Sequence, residues 1–94
     1  MIDMEKEITF GHGLTMDEGE ELDDDLRAWA FDVIEAGYLC DLKLEKFNAR
    51  SGAIKFEWYG AKKDVCKFFK HYSTYYVNES EETRNKTLET ILNK

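Results

Sequence analysis

Residues 40–59 read CDLKLEKFNARSGAIKFEWY, and this stretch decides the fold class. Cys40, Leu42 and Leu44 alternate with Asp41, Lys43 and Glu45, and Ile54, Phe56 and Trp58 alternate with Lys55, Glu57 and Tyr59. Between them, Asn48-Ala49-Arg50-Ser51-Gly52 has the composition of a turn. Two period-two runs around a glycine-containing turn predict a β-hairpin with a longer loop and one apolar face. That face needs a cover, and the flanking segments supply it.

Upstream, Ile2, Met4, Ile8 and Phe10 alternate with Asp3, Glu5, Glu7 and Thr9, with Lys6 alone out of pattern, which predicts a strand over Ile2 to Phe10. Gly11-His12-Gly13 then reads as a turn. Thr15-Met16-Asp17-Glu18 has the T-x-x-E form of a capping box, so a helix is expected to begin there. Its apolar stripe is Leu22, Leu26, Trp29, Ala30 and Val33, and Gly37 stands where a left-handed C-terminal residue is wanted. Gly60 ends the hairpin. Downstream, Val65, Phe68, Phe69 and Tyr72 at i, i+3, i+4 and i+7 predict a second helix over 61–72. Thr74 to Val77 is a candidate fourth strand. Ser80 can cap a last helix, whose thin stripe of Leu88, Ile91 and Leu92 predicts loose docking and fraying.

The expected order is strand, helix, strand, strand, helix, optional strand, helix. An antiparallel sheet of three or four strands with two helices on one face buries every apolar face in that order. This is an α+β fold of the ferredoxin-like split β-α-β kind or a near relative, with an added C-terminal helix.

At 94 residues the chain is sized for one domain. It contains no proline, repeat or low-complexity stretch to mark a linker. No apolar run reaches the roughly 18 residues of a membrane span, and the acidic N-terminus lacks the layout of a signal peptide. A cytoplasmic protein is therefore expected, in the host cytoplasm if phage-encoded. Cys40 and Cys66 occupy inward-facing positions, where cysteine serves as a small apolar residue.

No catalytic, metal or cofactor motif emerges. His12, Cys40, Cys66 and His71 lack the close pair spacing of a metal module, so no metal ligand is assigned and His12 is read as a solvated turn residue. His71, beside the last turn of the second helix, suits that helix's dipole. Gly11-His12-Gly13 lacks the residues that complete a phosphate loop and runs into acids instead. A non-enzymatic role is expected.

Charge is the informative feature. The net charge is −7, made of −11 over residues 1–45 and +4 over residues 46–94. Seven carboxylates fall between Asp17 and Asp25, an axial density on a helix of roughly one per 1.7 Å, close to that of duplex DNA. On a helical wheel Asp17, Glu21, Asp24, Asp25, Asp32 and Glu35 form an outward stripe with Phe31 beside it. An outward helix face is ordinarily just a charged, solvated one. Seven acids in nine residues nevertheless repel one another beyond what capping requires, and a basic partner relieves that repulsion.

The leading expectation is a binding protein that inhibits a larger protein by occupying its basic, nucleic-acid-binding surface, with the acids steering and Phe31 anchoring. Small acidic proteins of phages and other mobile elements that block restriction or CRISPR systems behave in this way. They are an analogy of class, since no motif here matches a specific family. The alternative is a nucleic-acid-binding module using Arg50, Lys55, Lys62, Lys63, Lys67 and Lys70. A third reading is self-association between the acidic half of one copy and the basic half of another, as in a homodimer.

Overall fold

The structure, a computed structural model, describes residues 2–15, 23–50 and 52–94. Its elements in chain order are β1 (Glu7–Thr15), α1 (Asp24–Leu39), β2 (Lys43–Arg50), β3 (Ala53–Ala61), α2 (Lys62–Tyr75) and α3 (Glu81–Leu92). The three strands form one sheet in the order β1-β3-β2, with β3 antiparallel to both neighbours. The α+β expectation holds: β1 and β2 are parallel strands split by β3, α1 and α2 pack on the sheet, and α3 follows. Ile8 and Phe10 of β1, Ile54, Phe56 and Trp58 of β3, Val33 of α1, and Val65, Phe68, Phe69 and Tyr72 of α2 join in one buried cluster.

Several local expectations are corrected. Strand β1 begins at Glu7 and continues through Gly11-His12-Gly13 to Thr15, so those three residues are strand and not turn. The alternation simply carries on. Ile8, Phe10, His12 and Leu14 are the more buried members of β1, and His12 fills an inward position that a polar residue was expected to avoid. Thr15 pairs with Ala53 as the last residue of β1, while Glu18, its expected capping partner, lies outside the described residues together with Asp17, Glu21 and Leu22. Helix α1 instead starts at Asp24, where the Asp23 carboxylate accepts the Leu26 backbone N–H at 2.8 Å.

At its other end Gly37 stays inside α1, and Asp41 takes the left-handed turn with φ 62°. The Leu42 N–H returns to the Gly37 carbonyl and the Asp41 N–H to that of Tyr38, both at 3.1 Å, which is a Schellman closure. Gly37 is small for a different reason: a Cβ there would overlap the Trp58 ring. Packing, not turning, selects this glycine.

The hairpin pairs as far as Arg50 and Ala53, leaving a shorter connection than expected, with Gly52 at φ 90°. A bulge between Leu44 and Lys46 resets the alternation of β2, so Phe47 and Ala49 pair with the inward residues Phe56 and Ile54. Residues 74–77 form no fourth strand, because α2 runs through Tyr75 and a turn follows.

Helix α3 begins under its Ser80 cap as expected, but it is not loosely held. Ile91 is 1% exposed. The Lys62 ammonium, on a residue only 3% exposed, donates to the Leu92 and Lys94 carbonyls at 2.9 and 3.0 Å. Arg84 donates to the Ser73 hydroxyl at 2.8 Å and the Glu79 carbonyl at 3.0 Å. Thus α3 is tied down at both ends, by bonds that a search for apolar periodicity does not register. A cation at the carbonyl end of a helix is also favoured by the helix dipole.

Candidate protein-binding surface

Helix α1 turns Ala30, Val33 and Ala36 inward, which leaves Asp24, Asp25, Phe31, Asp32 and Glu35 exposed. At 100° per residue Asp24, Phe31 and Glu35 share the crest opposite Val33, while Asp25 and Asp32 lie on one flank. Asp17 and Glu21 lie outside the described residues. Among the described residues the acidic stripe is divided between crest and flank.

The crest and its two sides differ in chemistry. On the β2 side, Phe31 is 68% exposed and borders a hollow of about 300 Å³ lined also by Leu26, Arg27, Ala30, Phe47, Ala49 and Ile54. Phe47, 42% exposed, packs on Phe56 with ring centroids 5.4 Å apart. Arg27 contributes the one charge of this lining, and it reaches Asp24 only at 3.9 Å with both side chains largely solvated. Such a pair adds little stability and leaves the Asp24 carboxylate accessible. On the α2 side, Asp32 and Glu35 line a cleft of about 560 Å³ with Leu39, Lys67, His71 and Tyr76. Burial, and then the Asp32 and Glu35 carboxylates, push the Tyr76 phenol above its usual range.

Sequence reading passed over Phe47. Its signal was a single apolar residue between Lys46 and Asn48, but strict alternation from Leu44 places residue 47 on the outer face. Only the bulge brings it beside Phe31.

The basic residues do not come together. Arg50 and Lys55 stand on the sheet face away from the helices, as their pairing with Ala53 and Asn48 requires. Lys63, Lys67 and Lys70 are on α2, in the other layer. Lys63 pairs with Glu5 at 2.8 Å, and Lys62 is buried under the end of α3. The hairpin-plus-helix surface expected for nucleic acid is therefore two separate surfaces, with Lys62 in neither.

His12 is corrected from a solvated turn residue to a half-buried one caged by aromatics. Its ring lies 4.3 Å from that of Tyr72, 4.8 Å from Phe56 and 5.4 Å from Phe68 between centroids. The Trp58 indole N–H donates to His12 Nε2 at 2.9 Å, so the neutral ring carries its proton on Nδ1. Burial holds its pKa down at about 3. Burial, reinforced by the Glu79 carboxylate, pushes the neighbouring Tyr72 phenol up to about 12. Both cysteines are free, and burial raises each thiol, so neither is poised as a thiolate. Among the described residues no three His, Cys, Asp or Glu side chains gather as metal ligands, and no helix is long and apolar enough to cross a membrane.

Comparison with family models, curated proteins and solved structures finds no match. The reading of function rests on this geometry.

Proposed function

We propose that this protein acts by occupancy, binding a larger protein through the crest of α1. The observation that carries the proposal is the exposed Phe31 beside a hollow floored by Leu26, Ala30 and Ile54 and rimmed by Phe47. An exposed aromatic next to an apolar recess supplies the desolvated anchor that interfaces use, and the carboxylates of Asp24 and Glu35 on the same crest, with Asp25 on the flank, favour a basic partner. The net charge of −7 strengthens that steering at a distance. A basic surface that otherwise holds nucleic acid fits these features, which gives inhibition by competition, as in the anti-restriction and anti-CRISPR proteins of phages by analogy of class.

The test immobilises the protein and passes a bacterial lysate over it in parallel with the variants Asp24→Lys/Asp25→Lys and Phe31→Ala. The expected result is one basic, nucleic-acid-binding protein retained by the native chain, lost from both variants and displaced by added duplex DNA. Equal retention by all three proteins rejects the α1 crest as the contact surface.

A further inference from the structure

The sheet face turned away from the helices carries a second surface of opposite character. Reading across β1, β3 and β2, the pairing places Thr9, Tyr59 and Lys43 in one row and Gly11, Glu57 and Lys46 in the next. Gly13, Lys55 and Asn48 make the third row, and Thr15, Ala53 and Arg50 the fourth. Each row holds one cation. Rows are two residues apart along a strand, about 7 Å, which is comparable to the phosphate repeat of an extended single strand of nucleic acid.

The floor of this face is bare. A cleft of about 470 Å³ lies over Gly11 and Gly13, with Lys46, Lys55 and Asn48 along it and the Glu57 carboxylate across from Lys46. Gly13 has an internal reason to be glycine, since a Cβ there would overlap the Ile54 carbonyl oxygen. Gly11 has none: a Cβ would sit 3.7 Å from the Phe56 carbonyl, an ordinary contact, and no positive φ is involved. Glycine weakens a strand and is used where other groups come close to the backbone; Gly11 borders the end of α3 near Thr90 and Lys94 on one side and the open cleft on the other. One row beyond the cleft, between Thr9 and Lys43, the Tyr59 hydroxyl donates to the Glu7 carboxylate, which fixes the position of that ring.

We infer that this face binds single-stranded nucleic acid, with phosphates on Lys46, Lys55 and Arg50 and a base lying on the Gly11 backbone beside Tyr59. Charge complementarity and a stacking ring are the two parts such sites combine. Glu57, next to Gly11, accepts a hydrogen bond from an exocyclic amine, as carboxylates do with cytosine, so the face prefers cytosine to thymine. Glu7 and Glu45 lie toward the Tyr59 end, which leaves the hairpin end cationic. The carboxylates on the crest of α1 stand a helix diameter, about 10 Å, beyond the sheet, so their repulsion is largely screened at physiological ionic strength and opposes the local lysines at low salt, where the Debye length reaches about 30 Å.

The test is a fluorescence-anisotropy titration of the full chain against labelled single-stranded oligo(dC), oligo(dT) and a protein-free control, at low and physiological salt. The expected result is saturable binding at low salt, tighter for oligo(dC), and weakened about tenfold or more by Lys46→Glu/Lys55→Glu. The control Lys67→Glu/Lys70→Glu changes the net charge equally on the opposite layer and leaves binding close to native. Gly11→Val weakens binding while thermal stability is kept or raised. No binding at low salt, or loss in the Lys67/Lys70 variant without loss in the Lys46/Lys55 variant, overturns the inference. Lys46, Lys55 and Gly11 lie on the layer opposite the α1 crest, so a loss of binding in their variants leaves the reading of α1 as it stands.

Discussion

The Trp58 indole N–H donates to Nε2 of His12 across 2.9 Å, joining the central strand to β1 inside a wall of aromatic rings. This bond exists only with a neutral imidazole, because a protonated ring has no acceptor on Nε2. The pairing makes His12 part of the core's acid sensitivity.

With the folded pKa near 3 and the unfolded value near 6.5, the unfolded chain takes up the proton first as pH falls. The contribution of neutral His12 is fully present above pH 6.5 and is lost progressively down to about pH 3, at up to about 1.4 kcal/mol per pH unit. His12→Gln keeps an acceptor but does not titrate. Urea denaturation between pH 7 and pH 4 should therefore show a shallower acid loss for the Gln variant, and parallel curves for the two proteins would dismiss the assignment.

Gly37 and Asp41 should respond in opposite senses to substitution. Gly37→Ala improves helix propensity yet drives a methyl into the Trp58 ring, and overpacking of this kind costs about 1 to 3 kcal/mol. Asp41→Gly relieves a left-handed residue at φ 62° and should stabilise by roughly 0.5 kcal/mol or more. Denaturation midpoints measure both. A stabilised Gly37→Ala would mean that the α1 to β3 contact is looser than described.

Lys62 should prove to be the anchor of α3. Lys62→Met keeps the buried stem and removes the ammonium from the Leu92 and Lys94 carbonyls, with an expected loss of about 2 kcal/mol. Hydrogen exchange should then accelerate in α3 before it does in α1. Uniform acceleration across the molecule would assign Lys62 a general role in the core.

Phe31→Ala should leave folding stability within about 0.5 kcal/mol, since surface substitutions rarely exceed that, while the α1 partner is lost. Chemical denaturation and partner retention, measured on the same preparation, separate the two effects. A large loss of stability would make Phe31 a structural residue.

Much of this architecture was legible because its signals are local. The alternation in residues 40–59 and the i, i+3, i+4 spacing from Val65 to Tyr72 each describe which side of one element is apolar; the hairpin and the helix both formed, although Cys40 caps α1, β2 begins at Lys43 and a bulge interrupts its alternation. The start of α1 was misjudged because the acidic stretch offers several equivalent caps, and Asp23 rather than Thr15 accepts the helix's open donor. Strand β1 starts later than its alternation predicts because Met4 and Glu5 form a turn closed on Asp3, and it runs longer because His12 takes an inward place and the glycines beside it are strand residues. Phe31 could be placed on the outer side of its helix from spacing alone, but its partner Phe47 could not, since a bulge reverses residue 47.

The order of elements, the sheet with helices on one face, and the acidic exterior of α1 are contained in the one-dimensional pattern, because periodicity and charge act residue by residue along the chain. Contact across the fold assigned the rest. It made Gly37 a packing glycine under Trp58, enclosed His12 among rings, turned Lys62 from a surface cation into the clasp of α3, and separated Arg50 and Lys55 from the lysines of α2. Each of these depends on which distant atom satisfies a group or fills a space, and that partner exists only once the chain has closed on itself.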